Sequence, residues 1–85
     1  MTPADFARLI AEAREQVVVN GEYVHYKGPE KRYRVESLAI DEATERVCVV
    51  YRPLYGEELL WIRTVENFLE TVETPDGPKP RFVLI

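Results

Sequence analysis

The chain has a single cysteine, Cys48, among its 85 residues. One thiol cannot close an internal disulfide, so a reducing, cytoplasmic setting is the expectation. It has a single histidine, His25, and no cysteine pair. Zinc sites need several ligands, and imidazole catalysis needs a positioned partner. Glycine is scarce at four residues. No phosphate-binding glycine loop, nucleophile elbow or metal signature occurs. No catalytic set, cofactor or metal is therefore expected. No apolar run approaches the roughly eighteen residues that a membrane helix requires. The start, MTPADFARLIAEARE, has no basic segment leading into an apolar one, so a secretory leader is not expected. Net charge is only -4, from 11 basic and 15 acidic residues. Such a chain has no global attraction to nucleic acid or to an anionic membrane.

What remains is a small, apolar chain. It is 46% hydrophobic, with five Tyr, three Phe and one Trp. That composition suits a packed globule, and the length suits one domain over residues 1–85. Residues 1–19 read as an N-terminal helix and connector. Thr2 is placed to accept at the helix start, Pro3 fits the first helical position, and Asp5 completes a capping box. Phe6, Leu9, Ile10, Ala13 and Val17 recur at helical spacing. The three valines Val17–Val19 fit a helix poorly, so the helix should end near Gln16. Asn20-Gly21 gives a turn, since both residues tolerate positive φ.

From residue 20 to residue 85 the period changes to two. Tyr23, His25 and Lys27 fall on one strand face, Val24 and Tyr26 on the other. A second strand runs through Tyr33 and Val35, and a phase shift before Leu38 and Ile40 predicts a bulge near Ser37. Asp41–Thr44 is a polar turn. Val47–Arg52 is nearly all apolar and suits a central strand, ended by Pro53. Leu60–Arg63 is a fourth strand, and Thr64–Phe68 a turn or one helical turn. Leu69–Glu73 and Phe82–Ile85 are short strands around the Pro75–Pro78 turn. Five or six short strands in such a length predict a mainly β protein, a small SH3-like, partly open barrel.

Four blocks have a family likeness. GEYVHYKG (21–28), VVYRPLYG (49–56), LWIRTVENFLETV (60–72) and KPRF (79–82) resemble, in order and spacing, the bacterial family called domain of unknown function 1653. The resemblance covers residues 21–85. It implies a small SH3-like β fold and no known activity. The chain departs from the pattern at three places. A Pro of the family is Thr64, a Met is Asn67, and a His-Ser-Glu-Thr segment reads Asp41-Glu42-Ala43-Thr44. If that segment serves a family activity, this chain lacks it.

Each chemically suggestive residue has a plain structural reading beside it. His25 is a base, or a hydrogen-bonded histidine at a strand rim. Cys48 sits among valines, which suits a buried small hydrophobe and not an activated nucleophile. Tyr26, Tyr33, Tyr51, Tyr55, Trp61, Phe68 and Phe82 are core candidates, with Trp61 expected to be buried. Seven rings exceed what a small barrel holds, so Tyr55 and Trp61, flanking GEEL, are also candidates for an exposed groove. Lys27, Lys31, Arg32 and Arg34 form a basic hairpin, yet Glu22, Glu30 and Glu36 interleave with it. Cross-strand ion pairs are the alternative to a nucleic-acid surface. The scattered Glu57, Glu58, Glu66, Glu70 and Glu73 read as a solubilising surface. The candidate binding surface is Tyr23, His25, Lys27, Arg52, Tyr55, Trp61, Arg63 and Arg81. The expected role is a non-enzymatic module for a protein or peptide partner. The alternatives are a small barrel for RNA or single-stranded nucleic acid, and a ligand-processing enzyme using His25.

Overall fold

A computed structural model describes residues 1–85. Helix α1 (Pro3–Arg14) starts as the capping residues dictate: the Asp5 amide donates to Thr2 Oγ1, and the Thr2 amide donates to Asp5 Oδ2. A reciprocal cap of this kind is worth about 1 kcal/mol. Asp5 is held below its usual carboxylate value by the Thr2 hydrogen bonds. The helix stops at Arg14, two residues short of the sequence expectation, with Glu15 as its C-cap. Val17 then belongs to neither helix nor strand, but it is fully buried in the core.

Seven strands follow: β1 (Glu22–His25), β2 (Arg32–Asp41), β3 (Arg46–Pro53), β4 (Trp61–Thr64), β5 (Thr71–Thr74), β6 (Gly77–Pro80) and β7 (Phe82–Leu84). One helical turn, α2 (Val65–Phe68), lies between β4 and β5. The mainly β fold with an N-terminal helix is as expected. Its form is an open antiparallel sheet in the order β4-β3-β2-β1-β7, with β5-β6 as a separate hairpin. The sheet does not close into a barrel, because β4 and β7 remain its two edges. The extra strand is β6 (Gly77–Pro80), whose first two residues fall in the Pro75–Pro78 turn expected from sequence. Prolines are tolerated in a two-stranded ribbon at positions that owe no amide to the partner.

The junction between α1 and the sheet depends on Asn20 and Gly21. Asn20 takes the left-handed φ of 68°. Gly21 is required for space: a Cβ there would meet the Val18 carbonyl oxygen at 2.9 Å and Leu84 Cδ1 at 3.0 Å. The predicted bulge is present, with the β2–β3 register shifting between Val35 and Ser37. The extra residue is Glu36. Its carboxylate reaches Arg34 and the cross-strand Arg52, both at 3.2 Å. Those two arginines face each other in the ladder, and like charges so placed destabilise a sheet. Glu36 relieves that, and the Arg52 hydrogen bond holds its carboxyl below the usual range.

One face of the sheet carries the core. Val17 and Ala13 from the α1 region and Val65 and Phe68 from α2 meet Tyr23, Val35, Val49, Tyr51 and Phe82 of the sheet. The N-terminal helix thus packs on its own sheet. Phe68 and Phe82 stack at 4.4 Å, and Tyr23 and Tyr51 approach Phe68 edge-on. Such ring pairs add about 0.5–1.5 kcal/mol beyond area burial. Cys48 is buried, and desolvation raises its thiol above the ordinary value, which is the setting of an inert cysteine. No helix is long and apolar enough to cross a membrane.

Candidate functional site

The core face of the sheet does not end where its cover ends. Residues directly opposite each other in a ladder share a face. Trp61 lies opposite the buried Tyr51, and Arg63 opposite the buried Val49. Trp61 and Arg63 therefore extend the core face onto the edge strand β4. The cover does not reach Trp61, which is 55% exposed. This corrects the expectation of a buried tryptophan. Its position is core-like by alternation and peripheral by strand order.

A groove of about 390 Å³ opens there, with Tyr33, Tyr51, Tyr55, Trp61 and Arg63 among its lining residues. The loop from Leu54 to Leu60 forms its outer lip. Two left-handed residues shape that loop, Gly56 at φ 64° and Glu58 at φ 53°. A non-glycine residue in that region is uncommon and is held by its surroundings. Here Arg52 holds it, donating to the Glu58 carbonyl at 2.6 Å. The Leu54 amide ties the other end to the Arg32 carbonyl at 2.8 Å.

The inner wall is a hydroxyl pair and a guanidinium. Tyr33 and Tyr55 share a hydrogen bond at 2.6 Å. Burial, and then the Tyr55 contact, push the Tyr33 phenol well above its ordinary value, so it stays protonated. Arg63 Nε donates to Tyr51 Oη at 2.9 Å, and a terminal nitrogen donates to Asn67 Oδ1. The Arg63 guanidinium also lies over the Phe82 ring, 5.9 Å from its centroid. On the other side Lys31 Nζ sits 5.4 Å over the Tyr55 ring. Both are cation–π geometries.

Of the surface expected from sequence, the structure brings Tyr55, Trp61 and Arg63 together. The other five lie elsewhere. Tyr23 is 5% exposed and belongs to the core, so it is unavailable as a surface residue. His25 is also buried, its ring packed against Tyr26, Tyr33 and Phe82. Its Nδ1 accepts from the Lys27 amide at 3.2 Å, the arrangement of a structural histidine. Burial first, and then Lys27 and the arginines, hold the imidazole below its ordinary value. Lys27 stands in the turn after β1, beyond the alternation that was to place it beside Tyr23. Arg52 lies on the opposite sheet face, where it serves Glu36 and the loop. Arg81 fastens α2, donating to the Asn67 carbonyl and pairing with Glu70. Sequence reading missed Tyr33 as a groove residue and Asn67 as the acceptor that holds Arg63. Tyr33 offered a signal, since it pairs with Tyr23 in the ladder and alternates with Val35.

The four sequence blocks thus become contiguous structure: β1 and its turn, β3 and its loop, β4 with α2, and β6 running into β7. The family profile described as "Protein of unknown function (DUF1653)" matches residues 21–84. The chain belongs to the DUF1653 family. A crystal structure of a protein from Bordetella bronchiseptica, titled as belonging to DUF1653, is similar at 38% identity and a TM-score of 0.71. That likeness covers 82% of this chain and 90% of the other. No curated protein matches the sequence. Two departures of this DUF1653 chain from the resemblance meet at the α2 cap, next to Arg63. Thr64 caps α2, accepting from the Asn67 amide at 3.2 Å, and the Asn67 side chain accepts from Arg63. The third departure, Asp41–Thr44, begins at the last residue of β2 and runs into the turn between β2 and β3.

Proposed function

We propose that this DUF1653 chain is a non-enzymatic binding module that takes an extended peptide segment of a partner protein along β4 and the adjoining groove. One observation carries the reading. Leu59, Leu60, Trp61 and Ile62 are consecutive, large, apolar and all exposed, and they lead into an edge strand with no neighbour on its outer side. Natural sheets usually blunt such an edge with charge or proline. A contiguous exposed apolar patch beside unpaired backbone groups suits strand addition, with backbone hydrogen bonds for affinity and the groove for specificity.

Selection of a random-peptide display library on the intact protein tests this. Enriched peptides should lose at least roughly tenfold in affinity with Trp61→Ala and with Ile62→Lys, while the melting temperature stays close to the parent's. Peptides that bind both variants unchanged would remove the site.

A second reading, binding of RNA or single-stranded nucleic acid, has its own support: Lys27 and Arg32 are exposed cations with no carboxylate partner. It predicts binding of an oligouridylate that weakens steeply as salt rises and with Lys27→Glu or Arg32→Glu. Salt-insensitive binding would count against it. The His25 enzyme reading has no comparable support, because the ring is packed and its Nδ1 is occupied.

A further inference from the structure

We propose that the groove is a receptor for a single carboxylate, with Arg63 taking the anion and Tyr55 and Trp61 holding the apolar group beside it. This rests on the groove being a peptide site and names what the peptide must present: an acidic side chain or a terminal carboxylate next to an apolar or aromatic residue.

The argument starts from the basic side chains. Five are partly buried: Lys31, Arg34, Arg52, Arg63 and Arg81. Arg34 and Arg52 pair with Glu36, and Arg81 pairs with Glu70. Arg63 and Lys31 have no carboxylate; Arg63 lines the groove, whereas Lys31 lies outside it, over the Tyr55 ring. A cation withdrawn from water is ordinarily paired. Arg63 is instead oriented by neutral groups, the Tyr51 hydroxyl, the Asn67 carbonyl oxygen and the Phe82 face. Its second terminal nitrogen has no acceptor in the protein. Neutral partners fix the guanidinium without cancelling its charge, which is what a prepared fork for a carboxylate requires.

The other charges limit the ligand. Glu57 and Glu58 also line the groove and are exposed. Arg63 offers one anion a local partner, while the two carboxylates repel further negative charge and so oppose a polyanion. A peptide carboxylate fits that balance better than a phosphodiester chain does. The groove's volume is within the range that holds one ring and its carboxylate.

The test compares N-acetylphenylalanine with its uncharged amide, N-acetylphenylalaninamide, by NMR on the intact protein. The reporters are the Trp61 indole N–H and the Arg63 Nε–H. The carboxylate should shift both and bind roughly tenfold more tightly than the amide. That preference should vanish in Arg63→Gln and persist in part in Arg63→Lys. The paired ligands give the answer on the parent protein even if Arg63→Gln fails to fold. Equal shifts of Trp61 by acid and amide would overturn the carboxylate receptor and leave the peptide groove standing. No shift by either ligand up to about 50 mM would overturn both. An oligouridylate that moves the Arg63 signal while the carboxylate does not would overturn the inference in favour of phosphodiester recognition.

Discussion

Tyr23 and Trp61 stand on the same face of one sheet and have opposite fates. Tyr23 is on β1, between β2 and β7, and its ring disappears under Phe68. Trp61 is on β4, at the edge, and over half of it faces solvent. Alternation along a strand decides which face a side chain joins. Burial is decided by what lies over that face, which is a property of strand order and of the covering helices. The inner half of the face is covered by α1 and α2 and serves as core. The outer half has the same kind of residue and no cover, and it becomes a groove.

The largest way to test that contrast is at the covered end. Phe68 is 1% exposed and touches Phe82, Tyr23 and Tyr51. Phe68→Ala should cost about 3–5 kcal/mol. Against a total near 5–10 kcal/mol, roughly what a domain of this size holds, denaturant unfolding should show a partly unfolded population. A loss near 1 kcal/mol would mean that the covered end is no more consolidated than the groove.

Tyr23 probes the same region more gently. Its hydroxyl accepts from the Val18 amide at 3.0 Å, linking β1 to the connector after α1. Tyr23→Phe keeps the ring and removes that bond, so a cost of about 1 kcal/mol is expected in the same measurement. A cost as large as that of Phe68→Ala would place the connector, and not the ring stack, at the centre of the core.

How much of this was legible in the sequence follows from the same distinction. The capping box at Thr2 and Asp5 was legible because it is local chemistry within one helical turn. The bulge near Ser37 was legible because a period of two cannot skip a residue silently. Grouping Tyr23 with His25 on one face was right. Assigning that face to the surface was wrong, because alternation extends it to Lys27, whereas β1 stops at His25. The Tyr55, Trp61 and Arg63 cluster was half legible. Their proximity along the chain suggested it, but Tyr33 joins only through the β2–β3 ladder, and Asn67 reaches Arg63 only because the α2 cap places it there. Partial openness was expected, but its extent was not legible, since strand count and turn spacing are equally compatible with a nearly closed barrel and an open sheet.

The covered end should also respond to pH where the groove does not. His25 has its proton affinity lowered, by burial above all. The unfolded chain then takes up the proton first, near the ordinary value of 6.5. Stability from this residue is complete above that pH and declines as pH falls below it, until the folded imidazole protonates too. The melting temperature should therefore drop between about pH 7 and about pH 5.5, before carboxylates contribute. His25→Gln should flatten that drop. A variant that keeps the full slope would move the sensitivity to other groups.

The smallest expected effect is the most informative one. Trp61 is the largest side chain in the molecule, and in a closed barrel its removal would rival that of Phe68. On an uncovered edge the ring has little to lose: Trp61→Ala should cost about 1 kcal/mol or less. Thermal or denaturant unfolding of Trp61→Ala beside Phe68→Ala reads the two ends of the face on one scale. A small cost with loss of peptide binding would mean that the ring is kept for recognition and not for folding. A cost of about 3 kcal/mol or more would mean that the outer half is consolidated core, and strand addition at β4 would then have no apolar surface to use.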